Sequence, residues 1–247
     1  MKSVSVALLP SLIQRESLAD CTAVVIDVLR ATSVIATALG NGAAGVIACE
    51  SIDQAHHQAA ALTGAYKLCG ERGGLPIEGF DLGNSPAEYP REVIADKTVV
   101  MTTTNGTRAL AAVETAADVL TASFLNLSAA SDYCSQSADV LLVCAGTDGQ
   151  ISGEDVLLAG AIAKRLIGGH GFETTDDSAL LAIAAWEAAE PVAADPAQLA
   201  EFLALSKGGR NLQRIGFADD LQRVARIDSQ HHVPRRVSRN PCILRCE

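Results

Sequence analysis

The sequence predicts an α/β fold: a largely parallel sheet with helices on both faces, in three layers. Three observations lead there. Short apolar runs alternate with stretches of helical periodicity through the first two thirds of the chain. The runs are apolar on successive residues, as strands covered on both faces are. Polar clusters sit where such a run gives way to a helix, which is where open α/β sheets bind their ligands.

The first run, Val4–Leu9, breaks at Pro10 before a signal-peptide core is complete and reads as a strand. Ala23–Leu29, Gly45–Cys49, Tyr66–Cys69, Thr98–Thr103, Asp118–Ser123 and Asp139–Cys144 read as further buried strands. Between them Thr32–Leu39, Ile52–Leu62, Gly106–Thr115, Ser128–Ser135 and Gly153–Ile167 have helical spacing. Ser51 with Gln54 is a capping-box signature, and Pro86 directly after Ser85 suits a first helical turn. Residues 69–86 contain five glycines and two prolines and read as one long loop without a regular element. That loop presents Glu71, Arg72, Glu78, Asp81, Asn84 and Ser85, with Phe80 and Leu82 as apolar pins.

After Gly168-Gly-His-Gly171 the pattern becomes helical, at Thr175–Glu190, Asp195–Ser206 and Ala218–Arg226, until a closing strand near Pro241–Arg245. The whole of 1–247 reads as one α/β unit. Its helical C-terminal portion either packs on the sheet or forms a smaller lobe, dividing the chain into 1–168 and 169–247.

Composition narrows the function. A formal charge of −10 argues against nonspecific nucleic-acid binding, and any anionic substrate needs local arginines to overcome that field. No apolar run reaches the about 18 residues that span a bilayer, so neither a membrane nor a secretory route is expected and the cytoplasm is the expected compartment. Seven scattered cysteines fit buried reduced thiols, Cys144 among them, and offer no zinc spacing. A homo-oligomer is left open.

Three strand-to-helix junctions carry candidate chemistry: Ile26-Asp-Val-Leu-Arg-Ala-Thr32, Met101-Thr-Thr-Thr-Asn-Gly-Thr-Arg108, and the stretch from Cys144 to Asp155. Asp27 is either a helix cap or a functional acid, and Arg30, one turn on, could bridge an anion to helix-start amides. The small residues of Thr104-Asn-Gly-Thr107 allow backbone N–H groups to approach an anion, with ordinary capping as the alternative. Ser152-Gly-Glu-Asp155 is either a capped first turn or a pair of carboxylates for a hard divalent cation, if Asp27 or Glu71 adds oxygen. Gly40-Asn-Gly-Ala-Ala-Gly45 has dinucleotide-motif spacing but follows a helix and precedes a strand, the reverse of that context.

Five segments in this order and spacing resemble the 2-phosphosulfolactate phosphatase family: Asp27-Val-Leu-Arg-Ala-Thr32, Gly70-Glu-Arg72, Gly79-Phe-Asp-Leu-Gly-Asn-Ser-Pro86, Thr103-Thr-Asn-Gly-Thr107 and Cys144-Ala-Gly…Glu154-Asp155. A weaker echo follows in Ser206…Gly209-Arg210-Asn-Leu212, Gly216 and Asp220. The resemblance implies Mg²⁺-dependent hydrolysis of (R)-2-phospho-3-sulfolactate to 3-sulfolactate and phosphate, a step towards coenzyme M. It implies catalytic Asp81, Arg30 and Arg72; substrate-binding Asn84, Ser85, Asn105, Gly106 and Thr107; and Mg²⁺ ligands Asp27, Glu71, Glu154 and Asp155. The expected partner is a small anionic phosphorylated substrate. Lacking a cysteine, histidine or serine nucleophile motif, the chain suits metal-assisted attack by water, with an aspartyl-phosphate on Asp27 or Asp81 as the competing mechanism. A noncatalytic binder of phosphorylated or sulfonated acids is the competing function, and it would need no acidic cluster.

Overall fold

The computed structural model describes residues 1–14 and 18–246. Its strands are β1 (Lys2–Ala7), β2 (Thr22–Ile26), β3 (Gly45–Cys49), β4 (Tyr66–Arg72), β5 (Leu75–Pro76), β6 (Thr98–Thr102), β7 (Asp118–Ala122), β8 (Asp139–Cys144), β9 (Phe172–Glu173), β10 (Pro234–Ser238) and β11 (Cys242–Cys246). Its α-helices are α1 (Ala31–Gly40), α2 (Ile52–Ala61), α3 (Arg91–Ile94), α4 (Gly106–Ala112), α5 (Leu127–Cys134), α6 (Gly153–His170), α7 (Asp177–Ala189), α8 (Pro196–Ala204), α9 (Lys207–Arg214) and α10 (Asp219–Val224). None of these helices is long and apolar enough to cross a membrane.

The strands form one sheet in the order β5-β4-β6-β3-β11-β10-β7-β2-β8-β1-β9. Its two flanks are parallel: β4-β6-β3 on one side and β7-β2-β8-β1-β9 on the other. The antiparallel C-terminal hairpin β10–β11 joins them, with Cys242 opposite Ala48 of β3 and Arg235 opposite Leu120 of β7. Alternation along each strand feeds two cores. Val24, Ile26, Val140 and Leu142 pack under α5, α6 and α7, while Ala23, Val25, Val46 and Val99 pack against α1 and α4. Helix α2 covers the outer face of the first flank through Ala55, Ala59, Ile47 and Val100. The three-layer α/β architecture expected from the alternation is present.

The second core contains side chains of both flanks, Val25 and Val143 beside Val99 and Met101. Helix α1 touches β3, β7, β10 and β11. The sheet therefore curves around α1 and α4, which brings together strand ends that are far apart in strand order. Residues beyond 168 share the other core: Ala179, Trp186, Leu199, Leu212 and Leu221 are buried with Val24 and Leu158.

Local signals account for most boundaries. Ser51 Oγ accepts the Gln54 N–H at 3.1 Å, and the Gln54 side chain reaches back to the Glu50 N–H at 2.7 Å. A 3-10 turn at Pro86–Glu88 has a full capping box between Ser85 and Glu88. Three elements depart from expectation. The supposed loop at 69–86 begins as strand, because β4 continues through Gly70 to Arg72 and turns back into β5. Helix α9 forms despite Gly208 and Gly209, since Ser206 Oγ caps the Gly209 N–H at 2.9 Å and both glycines are buried. Strand β10 carries Arg235 and Arg236, which disguise it; Arg235 bonds Asp118 at 2.8 Å, and Arg236 donates to the carbonyls of Val113, Glu114 and Ala116 after α4.

Candidate active site

Four chain segments converge at the carboxyl ends of β2, β4, β6 and β8. The turn after β2 is locked by Thr32, whose Oγ1 accepts the Asp27 N–H at 3.1 Å and donates to the Asp27 carbonyl at 2.9 Å. Asp27 Oδ1 accepts the Ala31 N–H at 3.2 Å; its Oδ2 has no hydrogen bond among the described residues. Helix α4 begins against this carboxylate. A Cβ at Gly106 would lie 2.5 Å from Ala31 Cβ and 2.7 Å from Asp27 Oδ2, so only glycine fits.

Arg30 is 3% exposed and anchored to the fold through both terminal nitrogens. Its Nη1 donates to Asp220 Oδ2 at 2.8 Å, its Nη2 to the Gly74 carbonyl at 2.7 Å, and its guanidinium lies 4.4 Å from the Phe217 ring centroid. Asp220 Oδ1 in turn accepts the Ser85 hydroxyl at 2.6 Å. Ser85 is thus behind Arg30, holding the acid that holds the arginine.

Glu71, at the end of β4, ties three segments together. Its Oε1 accepts the Thr104 N–H at 2.6 Å, and its Oε2 accepts the Gly74 N–H at 2.6 Å and the Thr104 hydroxyl at 3.2 Å. Asp155 ties two more, since its carboxylate accepts the N–H groups of Val28 at 2.9 Å and Gly146 at 3.0 Å. Glu154 accepts the Ser152 hydroxyl on Oε1, while its Oε2 is buried without a partner. Asn84 is 5% exposed, and its Oδ1 is also buried and unpartnered. Buried polar atoms of this kind are rare in folded proteins, and each needs an occupant or an explanation.

These groups surround a cavity of about 120 Å³ lined by Asp27, Arg30, Glu71, Asn84, Thr104 and Asn105 on one side, and by Asp148, Gly208, Asn211 and Arg214 on the other. Three clefts elsewhere are larger, at about 420, 490 and 370 Å³. The first mixes Glu50 and Glu114 with Arg236 and Arg239, and Arg236 is spent on backbone carbonyls. Convergent buried polar groups, not volume, single out the smaller cavity.

Burial dominates its electrostatics. The Asp27 carboxyl is pushed up to about 7 by loss of water, with Glu71 and Glu154 adding to the rise against the pull of the Ala31 N–H and Arg30. Asp155 is pushed well above the carboxylate range, first by burial and then by Glu154 and Asp27. Glu154 rises through burial, opposed by the neighbouring Ser206 and Ser152 hydroxyls.

The cavity thus gathers Asp27, Arg30, Glu71, Asn84 and Asn105, with Gly106 abutting Asp27 and with Ser85, Glu154 and Asp155 behind the wall. Three expected residues fall outside it. Asp81 pins the loop, accepting Lys67 Nζ at 3.0 Å and the Leu68 N–H at 2.8 Å, with its side chain 37% exposed. Arg72 does not line the cavity and donates to the Glu71 carbonyl at 2.7 Å and Thr102 Oγ1 at 2.9 Å. Thr107 exchanges bonds with Thr103 across the first turn of α4 and lines the 420 Å³ cleft instead. Conversely, Asp148, Asn211, Arg214 and the Arg30 partners Asp220 and Phe217 escaped the sequence reading as site residues. The segment from Ser206 to Asp220 was the one signal that could have found most of them.

The sequence pattern of the 2-phosphosulpholactate phosphatase family matches residues 7–239. A protein of Caldanaerobacter subterraneus subsp. tengcongensis, named probable 2-phosphosulfolactate phosphatase, is 39% identical over 225 residues, 90% of each chain. One of the same name from Clostridium novyi is 36% identical over 223 residues, 90% of this chain and 92% of the other. A Thermotoga petrophila protein, again of that name, is 54% identical over 145 residues; that match spans 59% of this chain and only 62% of the relative. With a family pattern running through nearly its whole length and through every segment that builds the cavity, the chain belongs to the 2-phosphosulpholactate phosphatase family.

Proposed function

We propose that the protein hydrolyses (R)-2-phospho-3-sulfolactate, with Mg²⁺, to 3-sulfolactate and inorganic phosphate. The observation that carries this reading is a buried carboxylate, Asp27, with a spare oxygen beside Arg30 in the cavity. Family membership and the names of the relatives support the same substrate.

The donor chemistry suits a hard divalent cation. Every orphaned atom is oxygen: Asn84 Oδ1 and Glu154 Oε2 are buried without partners, and Asp27 Oδ2 is free of hydrogen bonds. Among the described residues no three His, Cys, Asp or Glu side chains form a single chelating group. The all-oxygen donor set is what suits Mg²⁺, which is commonly held by one or two carboxylates and completes its shell with water and substrate phosphate. Asp27 and Glu71 line the cavity and are the residues that would hold it; Glu154 and Asp155 stand behind its wall and suit positioning. When bound, the ion would supply charge neutralisation at the phosphate and acidify an attacking water.

The chain's own groups then have defined tasks. Arg30 uses two of its five N–H donors on the fold and has others for phosphate oxygens. Asn84 offers an amide already stripped of water. Glu71 holds the Thr104–Asn105 segment against the cavity rim by accepting the Thr104 N–H. Asp27, whose carboxyl burial raises to about 7, would release its proton to a bound cation's field. Attack of water on phosphorus breaks the P–O ester bond and leaves the hydroxyl of 3-sulfolactate and inorganic phosphate.

The test is phosphate release from 2-phosphosulfolactate with added Mg²⁺ and with EDTA. Release that requires the metal is expected. Full turnover in chelated enzyme would remove the metal from the proposal, and binding without any release under either condition would remove the hydrolysis.

A further inference from the structure

The cavity holds two guanidinium groups whose charges are used differently. Arg30 is buried and ion-paired with Asp220 at 2.8 Å, so much of its charge is answered within the fold. Arg214, in the last turn of α9, lines the same cavity from the exposed side. Its Nη2 donates to Asn211 Oδ1 at 2.6 Å, and no carboxylate among the described residues lies within ion-pair distance of it. The other cation near this rim, Lys207, is committed: its Nζ is 3.4 Å from Asp148 Oδ2 and donates to the Thr147 carbonyl and Gln150 Oε1. Asn211 Nδ2 is turned towards Gly74, on the opposite wall. In a chain of formal charge −10, the rim therefore carries one uncompensated guanidinium steadied by an amide.

Building on the phosphatase reading, we propose that Arg214 and Asn211 form a subsite for the substrate's sulfonate. The carboxylate of 2-phosphosulfolactate is attached directly to the carbon that bears phosphate, whereas the sulfonate stands one carbon further out. With phosphate deep in the cavity at Arg30 and Asn84, the outermost anion meets the outermost cation. A planar guanidinium fork matches two oxygens of a sulfonate as it does those of a carboxylate. A phosphomonoester without that distal anion leaves Arg214 in water, so this residue discriminates between substrates and takes no part in bond breaking.

Arg214→Gln tests the subsite. The position is exposed, so the variant should melt like the wild type. We expect kcat/KM for 2-phosphosulfolactate to fall about tenfold or more, while that for 2-phospholactate of the same configuration, with methyl in place of the sulfomethyl group, stays within about twofold. Equal losses on both substrates, or no loss on either, would overturn the proposal. Calorimetric binding of 3-sulfolactate against lactate asks the same question without turnover, and only the former should weaken in the variant. If neither ester is hydrolysed but sulfolactate binding depends on Arg214, the phosphatase reading fails and the subsite stands. Normal hydrolysis with an unchanged substrate ratio leaves the phosphatase and removes the subsite.

Discussion

Asp220 lies 190 residues from Arg30 along the chain and 2.8 Å from it in space. Nothing at either position advertises the pairing, yet it fixes how the arginine meets the cavity. Asp220→Asn keeps the shape and removes the charge, leaving a buried guanidinium without its anion. Removing one partner of a buried pair costs about 3–5 kcal/mol, so a clear fall in melting temperature is expected. Inorganic phosphate should restore more of that loss in the variant than it adds to the wild type, because it returns negative charge beside Arg30. Ser85→Ala, which deletes one hydrogen bond to Asp220, should cost only about 1 kcal/mol. Thermal melts with and without phosphate, alongside kcat/KM, check both; wild-type kinetics in Asp220→Asn would dismiss the positioning role. The same scale explains why Arg72 and Asp81 stand outside the cavity. A glycine-rich segment full of polar residues reads as a presenting loop, but which of its side chains face the cavity depends on the strand it turns out to be, β4, and on the Lys67 and Thr102 neighbours that claim them.

Among the elements, α4 is the one whose start is set by packing on the site. Its first residue, Gly106, has no room for a methyl group against Ala31 and Asp27. Gly106→Ala should therefore destabilise the fold by about 1–3 kcal/mol through overpacking. Turnover should drop further than the stability loss explains, since the relaxation moves Asp27. Denaturant unfolding paired with steady-state kinetics measures the two separately, and a variant as active as wild type would mean the wall yields without disturbing the carboxylate. Helix α9 shows the converse case. Its adjacent glycines argue against a helix from propensity, but Gly208 packs where a Cβ would sit 2.2 Å from Glu154 Oε1. Close approach to the acid outweighs propensity, and the helix that results forms the far wall of the cavity.

For the whole molecule, the decisive feature is the hairpin β10–β11 lying between β3 and β7. Deleting residues 234–247 would strip two strands from the middle of the sheet and leave the inner edges of both flanks unpaired. We expect loss of cooperative unfolding and aggregation, read by near-UV circular dichroism and light scattering; a monomeric truncated protein with a sharp melt would show that the flanks cohere through α1 and α4 alone. The amino-acid sequence by itself determined the α/β class, a largely parallel sheet, most strand and helix positions, and the junctions that hold Asp27, Arg30 and Asn105. Those features follow from local periodicity, capping and the chemistry of residues close together in the chain. Tertiary structure alone decided the central place of the C-terminal hairpin, the curvature that brings the ends of β2 and β4 to one cavity, and the placing of Asp220 beside Arg30 and of Asn211 and Arg214 on the cavity wall. The physical reason is that a charge or a strand edge is satisfied by whatever packing brings to it, and a partner nearly two hundred residues away leaves no trace in the local pattern.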